Sequence, residues 1–112
     1  MKTTNTIKNL KVGNFYHTNQ FVIEYNNEIY FQSYESIIAK ITEYGNLYLT
    51  DKWDYSQTTL KHLYLFIQDY LLYIKDKVCY HELYYAMYVA KNKKQAIKKL
   101  LLNGFVGVFD ND

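Results

Sequence analysis

The chain has 112 residues, 49% of them hydrophobic, with a formal net charge of +2. That length carries one compact core and not two, and the small charge excludes both an acidic DNA mimic and a chain recruited to polyanions by bulk charge alone. No apolar run approaches the ~18 residues of a membrane span, and the start, MKTTNTIKNLKVG, lacks the apolar stretch of a secretion signal.

The basic residues are all lysine, 13 of them, and there are 14 tyrosines and no proline. Lysine, asparagine, isoleucine and tyrosine are the residues that AT-rich codons favour, which points to a low-GC bacterium or a mobile element within one. The absence of arginine removes the side chain best suited to bidentate base or phosphate recognition. Cys79 is the only cysteine, so no internal disulfide forms and a reducing, cytoplasmic setting in a bacterial host cell is expected.

In chain order, residues 1–14 are polar and read as a mobile lead or a short strand. From Phe15 the pattern turns β-like. Phe21, Ile23 and Tyr25 alternate with Val22 and Glu24, and Ile29 and Phe31 alternate with Tyr30 and Gln32. Asn26-Asn27 between them tolerates the positive φ of a tight hairpin turn. Ile37, Ala39 and Ile41 alternate with Ile38 and Lys40, and Gly45-Asn46 then signals a two-residue turn before Leu47, Tyr48 and Leu49. A short helix over 35–41 competes for this stretch, but its β-branched residues favour a second hairpin.

The second half reads as helix. Leu60, Leu63, Tyr64, Ile67, Leu71 and Ile74 form one stripe at helical spacing. A second helix is predicted from about Tyr80 to Ala90, with Leu83, Met87 and Ala90 inward. A third starts at an Asn92 cap with Gln95 three residues on and presents Ala96, Ile97, Leu100 and Leu101 to the core. Gly104 stops it in the left-handed conformation, with Phe105 folding back on Leu100. The tail FVGVFDND reads as a last short strand. The predicted fold is a single α+β domain over 1–112: an N-terminal antiparallel β-meander of three to four strands (15–50 mainly β) covered by about three C-terminal helices (56–103 mainly α).

DKWDYSQTTLKH, residues 51–62, gathers chemistry-bearing side chains before the first helix. A Ser56/His62/Asp54 triad does not follow, because residues six apart on a helix lie roughly 240° apart. The economical reading is structural. Ser56 caps the helix, Tyr55 and Leu60 stand at staple positions, Asp51 and Asp54 sit near the positive helix end, and Trp53 fills the seam between sheet and helix. Residues 81–85, HELYY, hold half of a zincin motif without its second histidine. Cys79 and His81 lack two further ligands for zinc, and His17 and His62 show no paired spacing. The lone G-x-x-G at Gly104 and Gly107 has no phosphate-binding turn around it. No catalytic residue, metal or cofactor is assigned, and an enzyme is not expected.

Two surfaces remain. Lys91, Lys94 and Lys98 fall on one helical ridge, with Lys93 and Lys99 beside it, and such a ridge either neutralises phosphates or is only a solvated face. Tyr64, Tyr70, Tyr73, Tyr80, Tyr84, Tyr85 and Tyr88 are too many and too widely spread to be buried together. Exposed tyrosine suits protein interfaces and base stacking. The candidate partner-binding residues are therefore Tyr73, Tyr80, Tyr84, Tyr85, Tyr88, Lys91, Lys94 and Lys98.

NFYHTNQFVIEYNNEIYFQSYESIIAKI at 14–41 and KWDYSQTTLKHLYLFI at 52–67 resemble a family of small proteins encoded by phages, prophages and plasmids of low-GC bacteria. There a QSYxSIIAKI-like strand precedes a WDYSxTTxKHxxxFL-like helix start. NKKQAIKKLLLNGFV at 92–106 is similar to their closing helix, and the resemblance does not extend over 72–90. The resemblance brings no catalytic residues. It implies an inhibitor of host defence machinery acting by stoichiometric binding, in the manner of an anti-CRISPR protein on a Cas effector. Two alternatives stand beside it: a nucleic-acid-binding accessory protein using the lysines and tyrosines, and a homodimer joined through its tyrosine face. No membrane partner is expected.

Overall fold

The computed structural model describes residues 5–12 and 15–110, with side chains left undescribed at 11–12 and 15–17. Five strands form a meander: β1 (Thr6–Val12), β2 (Phe15–Tyr25), β3 (Glu28–Ser33), β4 (Ser36–Ile41) and β5 (Leu47–Leu49). The helices α1 (Gln57–Asp69), α2 (Lys77–Tyr88) and α3 (Lys93–Leu102) follow, with a 3-10 turn at Leu71–Tyr73. The chain closes with β6 (Gly107–Val108). The sheet order is β1-β2-β3-β4-β5-β6, antiparallel up to β5, with β6 added parallel to β5.

The architecture is thus α+β as expected, but its sheet has six strands where three to four were predicted. The surplus lies at the two edges. β1 reads as a polar lead because an edge strand carries lysine and polar residues that blunt it. β6 falls in the tail that reads as a last short strand, and its parallel pairing with β5 adds it to the sheet.

The turns follow residue chemistry. Asn26 and Asn27 both adopt positive φ, 51° and 65°, the requirement of a type I′ hairpin, which matches the strand twist. The β4–β5 connection differs from the expected two-residue turn. Glu43, Tyr44 and Gly45 form its loop, since Gly45 N–H donates to the Thr42 carbonyl and Thr42 N–H to the Asn46 carbonyl. Gly45, at φ +82°, supplies the left-handed residue after the turn. The competing helix over 35–41 does not form.

Register decides the faces. Val22 opposes Phe31, Phe31 opposes Ala39, and Ala39 opposes Leu49, a row buried under the helices. The alternate row, Ile7, Ile23, Tyr30, Lys40 and Tyr48, lies on the open face. Ile38 is the extra residue of a bulge in β4, so it and its neighbour Ala39 are both fully buried.

α1 lies against β1 and β3, while α2 packs on α1 and α3. Phe66 stacks on Phe31, centroids 5.6 Å apart, and joins α1 to the sheet. The stripe from Leu60 to Ile74 was predicted as one helix, yet α1 ends at Asp69. Leu71 and Ile74 stay buried because a 3-10 turn has three residues per turn and brings i and i+3 to one side. α2 starts three residues before the predicted Tyr80, since Asp76 Oδ1 caps it by accepting from Cys79 N–H at 2.8 Å. It ends at Tyr88, which leaves Ala90 outside the helix and half-buried. α3 follows its prediction. Asn92 Oδ1 accepts from Gln95 N–H at 3.0 Å. At its other end Gly104 (φ +80°) allows Phe105 N–H to reach the Leu100 carbonyl and Gly104 N–H the Leu101 carbonyl, the two bonds of a Schellman stop.

Candidate functional site

The residues before α1 are occupied by structural work. Ser56 Oγ accepts from Thr59 N–H at 3.0 Å and donates to Thr59 Oγ1 at 3.0 Å. Thr59 Oγ1 lies 3.0 Å from Ser33 Oγ, both residues being fully buried. Since Thr59 oxygen already accepts from Ser56, its own proton is free to go to Ser33, and the cap of α1 is tied to the end of β3. Trp53 is buried in the core. Asp54 pairs with Lys94 at 3.9 Å. Tyr55, at 53% exposure, leaves its ring largely in solvent, so the expected staple contributes little to burying Leu60.

The other motifs come apart in the same way. His62 Nδ1 lies 2.7 Å from the Thr58 carbonyl and not against Ser56. Cys79 points inward, its Sγ 3.2 Å from the Phe105 carbonyl, and burial pushes its thiol pKa up, aided by the nearby Asp76 and Glu82 charges. His81, two residues on, is exposed with its ring edge-on to Tyr80. Among the described residues no three His, Cys, Asp or Glu side chains converge as a metal site; the side chain of His17 lies outside them. Gly104 terminates α3, and Gly107 lies under the Tyr48 ring, 2.4 Å from where its Cβ would stand. Neither shapes a phosphate loop.

The tyrosines do converge. Tyr80, Tyr84 and Tyr88 form a ladder along α2, with ring centroids 6.4 and 4.9 Å apart, as residues four apart on one helix face must. Tyr85 and Tyr88 are each 54% exposed. Val78 and Val89 are exposed beside them, at helical positions that place them within the same outward arc as Tyr85. The inward side of α2 carries Cys79, Leu83, Ala86 and Met87. The outward side is thus mostly aromatic and aliphatic, interrupted by the exposed His81 and Glu82, and from Val78 to Val89 only Glu82 bears a formal charge. Tyr73 sits apart from the ladder on the 3-10 turn, against Tyr70 at 5.6 Å.

The lysine ridge is reorganised. Lys91 lies ahead of α3, Lys94 is committed to Asp54, and Lys98 stands exposed one turn further on. Lys91, Lys93 and Lys94 instead meet Lys61 of α1 across a groove. Lys61 escaped the sequence reading because it is distant in the chain, and only its place on the polar side of α1 could have signalled it.

These features describe a small α+β protein that presents an aromatic helix face and a separate basic groove. The chain belongs to a family of unknown function (DUF8033), whose profile matches residues 1–83. No curated protein matches it, and no solved structure does. The matched stretch ends within α2, one residue before Tyr84, so most of the tyrosine ladder falls beyond it.

Proposed function

We propose that this chain is a stoichiometric binding protein whose contact surface is the outer arc of α2: Tyr84, Tyr85 and Tyr88 with Val78 and Val89. One observation carries the reading, the cluster of exposed tyrosine and valine on the solvent side of α2, broken only by His81 and Glu82, beside its apolar core side. An ordinary surface helix keeps one apolar stripe and a charged opposite face. Tyrosine adds large rigid contact area with few rotatable bonds, the economy that interfaces favour. The narrower form of the reading, an inhibitor of host defence acting on a nuclease such as a Cas effector, rests on the resemblance to proteins of mobile elements.

The test is affinity purification from the native host, using the wild type and Tyr85→Glu/Tyr88→Glu. A partner retained by the wild type and lost by the variant, with the melting temperature unchanged, supports the arc. A partner held equally by both sinks it. If the species retained is a second copy of this chain, the arc is a self-interface, and the variant should sediment as a monomer. For the narrower form, expression in a cell with active CRISPR interference should restore transformation by a targeted plasmid, and unaltered interference counts against it.

A further inference from the structure

A groove of about 600 Å³ runs between the outward side of α1 and the segment that opens α3. Lys61 lines it from α1, and Lys91, Lys93 and Lys94 line it from the other side; among the described residues no carboxylate does. Asp54 pairs with Lys94. Lys61, Lys91 and Lys93 have no acidic partner among the described residues. Three like charges around one concavity repel one another, and a cleft lined by one sign of charge concentrates the opposite ion. The wall also holds the half-buried Tyr64 ring and the carboxamides of Gln57 and Gln68.

We propose that this groove binds a nucleotide unit, with phosphate against Lys61, Lys91 and Lys93 and the base against the Tyr64 ring and the neighbouring amides. Lysine acts on phosphate as a point charge and needs no bidentate geometry, which suits a chain without arginine. The positive end of α3 faces the same space and adds to the attraction. An aromatic face takes any base by stacking, and carboxamides present the paired donor and acceptor that base edges require. An acidic peptide such as oligoglutamate would satisfy the lysines and could hydrogen-bond the amides through its backbone, but it leaves the Tyr64 ring without a flat group to stack on. The volume lies within the usual range for a small-molecule site. Free nucleotides and single-stranded nucleic acid share this chemistry.

The experiment titrates the full chain with a fluorescent deoxythymidine decamer, with adenosine monophosphate, and with an oligoglutamate peptide as comparator. The probes are compared for the wild type, Lys61→Gln and Lys61→Gln/Lys91→Gln/Lys93→Gln. Binding of the decamer should weaken with salt, with a log–log slope of about −0.7 for each strand phosphate that the lysines neutralise. The triple variant should bind at least about tenfold more weakly with a slope near zero, and the single variant should fall between. These lysines are at the surface, so unchanged thermal melting serves as the folding control. Competition between the monophosphate and the decamer assigns a nucleotide site, and binding of the decamer alone assigns a strand. No binding of either probe, equal binding by the triple variant, or an oligoglutamate complex that the decamer cannot displace overturns the proposal.

Discussion

Thr59→Val removes a hydroxyl and keeps the shape of the side chain. Thr59 is fully buried, and its oxygen sits between Ser56 Oγ and Ser33 Oγ, 3.0 Å from each. The change deletes two hydrogen bonds and leaves the buried Ser33 hydroxyl without its partner. At about 1–1.5 kcal/mol for each bond the loss is about 2–3 kcal/mol. For a chain of this length that corresponds to a melting temperature lower by about 8–12 °C. Urea unfolding followed by the fluorescence of Trp53, the sole tryptophan and a buried one, reads the effect. Ser33→Ala in the Thr59→Val background should cost about 1 kcal/mol less than in the wild type, because the orphaned partner is then removed as well. Ser56→Ala loses the cap bond to Thr59 N–H and should cost about 1 kcal/mol. A Thr59→Val loss below about 0.5 kcal/mol with strictly additive doubles would refute the view that this hydroxyl chain joins helix to sheet.

Three further outcomes are expected. Gly45→Ala should destabilise by at least about 2 kcal/mol in the same unfolding assay, because φ is +82° and the new Cβ would stand 2.7 Å from the Tyr73 carbonyl oxygen and 2.8 Å from Lys75 N. Tyr30 should ionise late in an alkaline ultraviolet titration, since burial and the 2.7 Å hydrogen bond from its hydroxyl to Glu28 push its pKa up to about 12. A raised pKa stabilises the fold below the unfolded value near 10, a contribution lost between pH 10 and about 12, and Tyr30→Phe should lack that part of the alkaline loss. Cys79 should resist a thiol reagent at pH 8 until the chain unfolds, because it is buried and its thiol pKa is raised; rapid labelling of the folded chain would contradict that.

Local chemistry was legible wherever one residue type answers one backbone demand. The paired asparagines at 26–27, the Asn92 cap and the Gly104 stop needed no knowledge of the rest of the chain. The Gly45 turn was located correctly and shaped wrongly, because the same glycine serves a two-residue turn and a turn followed by a left-handed residue. β1 was legible only as one of two alternatives and β6 only as a short strand without a place in the sheet, because edge strands are polar or short, and pairing rather than periodicity defines them. The stripe through Leu71 and Ile74 was read as helix because burial at spacing three is common to the 3-10 turn and the α-helix. For the candidate site, the excess of exposed tyrosine was legible but its ladder on one side of α2 was not, and the lysine ridge was broken up, since Lys94 found Asp54 and Lys61 came from another helix.

The sequence alone determined the α+β class, the run of strands before helices, most turns and caps, and the aromatic excess on α2. These depend on interactions within a few residues of the chain. Tertiary structure alone decided which sheet face is covered, which side of α2 remains apolar in solvent, and which lysines share a groove. Each of those follows from the strand register and from the packing of helices distant in sequence, where one residue of slip or one turn of rotation exchanges the inside for the outside.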